Sequence, residues 1–274
     1  MSYLHQAIRN TRPKKKRSKK TPHKSDSIEN LSEGEIEFTL PKDELELSDD
    51  LTPVVRAAVS EDSESSERFR LLRIKLRGVA GEDPVGCVGM VSAVAGEGKT
   101  TTSLGLAFAG SREVNRSVLL IEGDMRRPSF EKVFGLPQHD GLGEWLQGTC
   151  KDVPVRKFHN GPYVITAGNM SVPPVERLAS NQMAELLDNA RRVFDFVVVD
   201  CPPLAPVADS VILQDFLDGV LFVVRTRWAS RDVIRNAYAS LKPERVLGTI
   251  LNDYAEIVQR YELRNYKYYG DPHQ

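Results

Sequence analysis

Residues 86–110, Gly-Cys-Val-Gly-Met-Val-Ser-Ala-Val-Ala-Gly-Glu-Gly-Lys-Thr-Thr-Thr-Ser-Leu-Gly-Leu-Ala-Phe-Ala-Gly, decide the fold. The apolar run 87–94 reads as a buried strand, and the glycine turn Gly96-Glu97-Gly98 follows it. Lys99-Thr100-Thr101 then opens a segment in which Leu104, Leu106, Ala107 and Phe108 have helical spacing. Strand, glycine loop and helix start, in that order, are the context of a phosphate-binding loop. Glycines let backbone N–H groups turn inward around an anion, and the helix N-terminus adds positive potential. The candidate nucleotide-binding residues are therefore Ala95, Gly96, Glu97, Gly98, Lys99, Thr100 and Thr101. Lys99 would reach the β- and γ-phosphates of ATP, and the Thr100 hydroxyl would ligate Mg²⁺. The usual pattern begins with Gly six residues before the Lys; here that position is Ala93.

Downstream, strand patterns alternate with helical ones. The run 117–121 is a second apolar strand and ends in Glu122-Gly123-Asp124-Met125-Arg126-Arg127-Pro128. The run 194–199 is another and ends in Asp200-Cys201-Pro202-Pro203. In doubly wound sheets the ligand crevice lies at the carboxyl ends of the strands, so Glu122, Asp124 and Asp200 are placed to meet a metal-bound triphosphate. Short strands are also predicted at 163–167, 219–225 and 246–251, the last ending at Asn252. Helices are predicted around 141–148, from 173 to about 192, at 209–217 and at 230–241. The alternation implies an α/β fold of the P-loop NTPase kind, a mostly parallel sheet with helices on both faces.

Composition divides the 274 residues into three parts. Residues 1–24 carry Arg9, Arg12, Lys14, Lys15, Lys16, Arg17, Lys19, Lys20 and Lys24 and no acid, whereas 25–67 are acidic apart from Lys42 and Arg56. Blocks of like charge with few large apolar residues cannot bury enough surface to order themselves, so 1–60 is expected to be a flexible charged tail. Residues 1–9 fit one or two turns of amphipathic helix. The basic cluster either meets anionic lipid, at about 1 kcal/mol per charge near the surface, or is neutralised by the acidic block. It lacks interleaved aromatics and a reading module, which argues against nucleic acid. The folded domain is expected over 61–253, followed by a tail at 254–274 that carries Tyr254, Tyr261, Tyr266, Tyr268 and Tyr269. Those tyrosines either pack on a partner or stand exposed as hydroxyl acceptors.

Near the start of that domain, Ser63 or Ser65 would cap a helix with Phe69, Leu72 and Leu76 on one face. Glu67, Arg70 and Arg73 recur there at three-residue intervals, either as a solvated stripe or as an intersubunit contact. The three cysteines have no paired or ligand spacing, which fits a reducing cytosol, and the five histidines form no cluster. No apolar run approaches the roughly 20 residues of a membrane span, and no signal-peptide stretch opens the chain.

With these residues in hand, the chain from about 63 onward resembles the bacterial tyrosine kinases, the autokinases of capsule and exopolysaccharide synthesis. Residues 92–101 look like that family's Walker A, 121–128 like its Walker A′ and 197–203 like its Walker B. The resemblance implies ATP and Mg²⁺ as cofactors, with Lys99, Glu122, Asp124 and Asp200 catalytic. Thr100, Asp124 and Asp200 would hold the metal, and either Glu122 or Asp124 would accept the tyrosine proton. It further implies nucleotide contacts from Arg126 and Asn252, ring formation through Glu67, Arg70 and Arg73, and autophosphorylation at Tyr266, Tyr268 and Tyr269. Expected partners are other copies in a ring-like homo-oligomer, a separate membrane polysaccharide copolymerase acting as activator, and a phosphotyrosine phosphatase. The expected location is cytoplasmic, at the inner face of the plasma membrane through that partner. The short 1–9 segment before a charged linker is similar to exosortase-associated members.

The pattern departs from the family at three points. Glu122 replaces the usual Asp, and its extra methylene moves the carboxylate by more than about 1 Å, enough to disturb an in-line reaction. Pro173-Pro174-Val175 stands for the family's Pro-Asn-Pro, and the tail is sparser in Tyr. A partition-type ATPase would carry Lys at the position of Val94, and Glu122 also fits a nucleotide-binding scaffold with weak or no kinase activity.

Overall fold

Continuous apolar runs become strands buried on both faces, because helices cover the sheet from either side. The structure, a computed structural model, describes residues 36–79, 85–170, 173–205 and 209–253. In chain order its elements are β1 (Glu44–Leu45), α1 (Pro53–Val59), α2 (Glu64–Val79), β2 (Cys87–Ser92), α3 (Lys99–Ser111), β3 (Val118–Glu122), α4 (Phe130–Phe134), α5 (Leu142–Gln147), β4 (Arg156–Phe158), β5 (Tyr163–Ile165), α6 (Pro174–Leu178), α7 (Asn181–Val193), β6 (Phe196–Asp200), α8 (Asp209–Leu213), β7 (Gly219–Arg225), α9 (Arg231–Ala239) and β8 (Val246–Asn252).

Among the described residues the strands form one sheet in the order β1-β4-β5-β3-β6-β2-β7-β8. Every neighbouring pair is parallel except β4 with β5. This is the mostly parallel α/β P-loop sheet that the alternation implies. Side chains alternate along each strand and feed two cores. Val88, Met90, Leu120 and Val198 pack with α1, α2, α3 and α4 on one face. Cys87, Val91, Ile121 and Val199 pack with α5, α6, α7 and α8 on the other. Parallel register sets Glu122 beside Asp200 and Met90 beside Asp200, so β3 and β6 end at one level and β2 runs two residues further, to Ser92.

Three expectations are corrected. The flexible tail placed over 1–60 does not hold for its described part, 36–60; residues 1–35 lie outside the described residues. Glu44 and Leu45 pair with Lys157 and Phe158 to add an edge strand. Thr52 caps α1 by accepting from Val55 N–H at 3.4 Å, with Pro53 in the first turn. Leu51, Val55, Ala58 and Val59 are buried, and Arg112, the residue that follows α3, donates to the Val59 and Ser60 carbonyls. The charges there occupy solvent-facing positions, while these apolar residues dock on the core. The helix expected from 173 to about 192 is two helices, because the Ser180 hydroxyl accepts from Met183 N–H at 3.3 Å and starts α7 afresh. The helix expected over 209–217 ends at Leu213.

Candidate functional site

The loop between β2 and α3 takes its shape from two glycines with positive φ, Gly96 at 84° and Gly98 at 92°. A Cβ on Gly98 would come within 2.1 Å of the Asn252 amide nitrogen, so both backbone angle and space require glycine. The loop is held from inside by Glu97. Its buried carboxylate accepts from Val94 N–H at 2.8 Å and Arg225 N–H at 3.4 Å. Neighbouring strand tips hold it from outside. Asn252, at the end of β8, donates its amide to the Glu97 carbonyl at 2.9 Å. Trp228, beyond β7, donates its indole N–H to the Ala95 carbonyl at 2.9 Å and covers Gly96. Arg225 in turn lies over that indole, 4.4 Å from the ring centroid, and pairs with Asp253 at 2.9 Å.

The acids converge on this loop from β3 and β6. Asp200 is buried; one oxygen accepts from the Thr100 hydroxyl at 2.7 Å and the other from Ser103 at 3.1 Å. Burial pushes its carboxyl up to about 6, against the pull of the Lys99 charge and the two hydroxyls. Asp124, two residues past β3, is also raised by burial and drawn down by Lys99. Lys99 is itself 94% removed from solvent, its relative exposure being 6%. A buried ammonium with two carboxylates in its field, a hydroxyl locked on one of them and a glycine cradle make a donor set that suits a magnesium-bound triphosphate. Mg²⁺ is commonly held by one or two carboxylates together with substrate phosphates.

Three predicted residues, Glu122, Arg126 and Asn252, are occupied elsewhere. The Glu122 carboxylate is buried and accepts from Phe130 N–H at 2.8 Å, Ala167 N–H at 2.9 Å, Ser129 Oγ at 3.3 Å and Ser129 N–H. Burial lifts it to about 7, with those backbone bonds opposing the rise. Arg126 forms an ion pair with buried Asp209 at 2.7 Å. The structure thus brings together Lys99, Thr100, Asp124 and Asp200. It gives Asn252 to the loop backbone and Arg126 to Asp209.

Residues the sequence reading did not find are Ser103, Asp209, Arg225 and Trp228, and the side-chain role of Glu97. Ser103 lies one helical turn beyond Lys99 and Thr100, a spacing that was readable. Arg225 and Trp228 belong to no motif and reach the loop through the fold alone.

The Glu67/Arg70/Arg73 set divides. Glu67 and Arg70 pair with each other on the exposed face of α2. Arg73 is buried, its guanidinium 3.7 Å from the centroid of the Phe196 ring and its Nε without a hydrogen-bond partner among the described residues. Burial lowers its pKa to about 10. Tyr266, Tyr268 and Tyr269 lie outside the described residues.

Fold and site together define a P-loop protein of the mostly parallel class, with its phosphate loop faced by acids from two neighbouring strands. No protein-family profile matches the chain. Among curated proteins it is 30% identical over 202 residues to the tyrosine-protein kinase YwqD of Bacillus subtilis, covering 72% of this chain and 85% of that one. It is 34% identical over 172 residues to the succinoglycan biosynthesis transport protein ExoP of Rhizobium meliloti, spanning 60% of this chain and 22% of ExoP. Among solved structures, the kinase domain of the Escherichia coli tyrosine kinase ETK superposes with a TM-score of 0.66 at 28% identity, covering 74% of this chain and 80% of that domain. The chain belongs to the bacterial tyrosine kinases.

Proposed function

We propose that the chain is an ATP-dependent protein-tyrosine autokinase that regulates exopolysaccharide or capsule synthesis by phosphorylating tyrosines of its own C-terminal tail. The observation that carries this reading is the Thr100–Asp200 hydrogen bond of 2.7 Å beside buried Lys99, which joins loop, helix start and strand tip. Lys99 and the loop N–H groups stabilise charge on the β- and γ-phosphoryls of ATP. Thr100, Asp124 and Asp200 would hold a magnesium ion, which supplies charge neutralisation at the phosphate oxygens. The acceptor tyrosine oxygen bonds to the γ-phosphorus, the bond from that phosphorus to the leaving ADP oxygen breaks, and the phenolic proton passes to a carboxylate at the β3 tip. Alignment and charge stabilisation are what this chemistry asks of a protein, so no covalent intermediate is needed.

Acceptors are Tyr266, Tyr268 and Tyr269, presented to a neighbouring copy within a homo-oligomer that uses the exposed Glu67–Arg70 face. Each phosphate adds about −1.5 to −2 charge, so accumulated repulsion opens the assembly, and a phosphotyrosine phosphatase resets it. Among the described residues no helix is long and apolar enough to cross a membrane. A separate membrane copolymerase is proposed as activator, which would hold the kinase at the inner face of the plasma membrane; the likeness to part of the larger ExoP supports that pairing. Incubation of the purified chain with ATP and Mg²⁺, followed by phosphotyrosine mapping, tests the reading. Label is expected on tail tyrosines and is expected to vanish in Lys99→Met with the fold intact. Phosphotyrosine in purified Lys99→Met would refute the assignment.

A further inference from the structure

The β3 tip offers two carboxylates for the tyrosine proton, and the structure separates them. Glu122 is the last residue of β3, and Ser129 precedes the first residue of α4. Between them, residues 123–128 form the turn that carries Asp124 and Arg126. The Glu122 side chain bonds across the mouth of that turn to Ser129 and to Phe130 N–H at 2.8 Å, and with its other oxygen to Ala167 N–H at 2.9 Å. Inside the turn, Gly123 N–H donates to the Asp200 carbonyl at 2.9 Å and Arg127 N–H to Asp124 Oδ1 at 3.2 Å. One side chain therefore fastens both ends of the segment that presents Asp124 and ties it to the chain two residues beyond β5.

A general base must bring a free lone pair within hydrogen-bond reach of the proton that it removes. Glu122 is 1% exposed and its oxygens already accept from four donors. Among the described residues, Asp124 has one oxygen that accepts no hydrogen bond, and the carboxylate stands in the field of Lys99. We propose that Glu122 is a positioning residue, a clasp that fixes Asp124 in the site, and that Asp124 takes the tyrosine proton, which narrows the magnesium-holding set proposed above to Thr100 and Asp200. The extra methylene relative to Asp is then a requirement: Asp would draw the carboxylate back by about 1.5 Å, one carbon–carbon bond, and could not span both partners.

The proposal rests on the kinase reading above, and the test separates the two. Wild type, Glu122→Asp, Glu122→Gln, Asp124→Asn and the double variant Glu122→Gln/Asp124→Asn are compared for tail phosphorylation, with kcat and KM for ATP measured separately. Glu122→Asp is expected to lower kcat about ten- to a hundredfold while KM changes little, because misplacement by about 1 Å costs that much. The double variant is expected to be no slower than Asp124→Asn alone, since Glu122 acts through Asp124. Hydrogen exchange supplies a readout independent of turnover: the Phe130 and Ala167 amides are protected in wild type and exchange faster in Glu122→Gln. A Glu122→Asp variant as fast as wild type, multiplicative losses in the double variant, or unprotected Phe130 and Ala167 amides in wild type would each overturn the proposal. Wild type that makes no phosphotyrosine yet shows those amides protected, and released in Glu122→Gln, supports the clasp and overturns the kinase reading instead.

Discussion

Gly98 shows how little freedom the phosphate loop has at the level of single residues. Its φ of 92° and the 2.1 Å approach of a Cβ to the Asn252 amide leave no room for alanine. Gly98→Ala is expected to weaken binding of a fluorescent ADP analogue more than tenfold while circular dichroism stays that of the wild type. Asp200 gives the site a pH dependence. Its carboxyl, raised to about 6, loses charge below that value, so Mg²⁺-dependent ADP binding is expected to fall as pH drops from 7 to 5. Glu122 acts on stability in the opposite sense. With its carboxyl moved from 4.5 to about 7, the folded chain holds a proton that the unfolded chain has already released, so stability declines as pH rises through that window. Glu122→Gln is expected to flatten this decline in thermal melts between pH 4.5 and 7. The sequence places Glu122 at a strand tip but not the direction of its carboxylate, because Ser129, Phe130 and Ala167 come from other elements. It places Lys99, Thr100, Asp124 and Asp200 well, because loop and strand tip are contiguous signals.

At the scale of elements, buried strands were readable because an apolar run in a helix-covered sheet needs no partner to be recognised. What charge concealed was α1. The acidic surroundings of 25–67 suggested disorder, yet Leu51, Val55, Ala58 and Val59 bury a helix face against α3. A chain beginning at residue 61 is expected to melt several degrees lower than one that keeps residues 36–60. Each large side chain removed from such a core costs on the order of 2–5 kcal/mol, so a chain whose melting temperature did not change would show this packing to be dispensable. The break between α6 and α7 was missed for a different reason. Ala179-Ser180 contains neither Gly nor Pro, and the cap that restarts the helix is a single hydroxyl.

For the whole molecule, the division of the Glu67/Arg70/Arg73 set bears on the self-association proposed above. A helix turns by about 100° per residue, so three-residue steps drift around it and carry the third member to the inner face. Arg73 accordingly stacks on Phe196 inside the domain, and Glu67 with Arg70 remains outside. Reversing Glu67 to Lys or Arg70 to Glu is expected to reduce both oligomer size in light scattering and tail phosphorylation, leaving the melting temperature within a degree or two. Arg73→Ala is expected to lower the melting temperature first. The fold-level layout followed from alternating strands and helices; which side of α2 faces outward did not, since it depends on where β6 lies beneath it.

The indole of Trp228 on the phosphate loop has one further consequence. The chain has two tryptophans, and the other, Trp145, is sealed in the core at 6% exposure while Trp228 is 52% exposed. Intrinsic emission near the loop thus comes from a single ring, already hydrogen-bonded to Ala95 and stacked beneath Arg225. In a Trp145→Phe variant the protein would carry its own optical gauge of occupancy, and a titration with ADP and Mg²⁺ could be followed without any added dye.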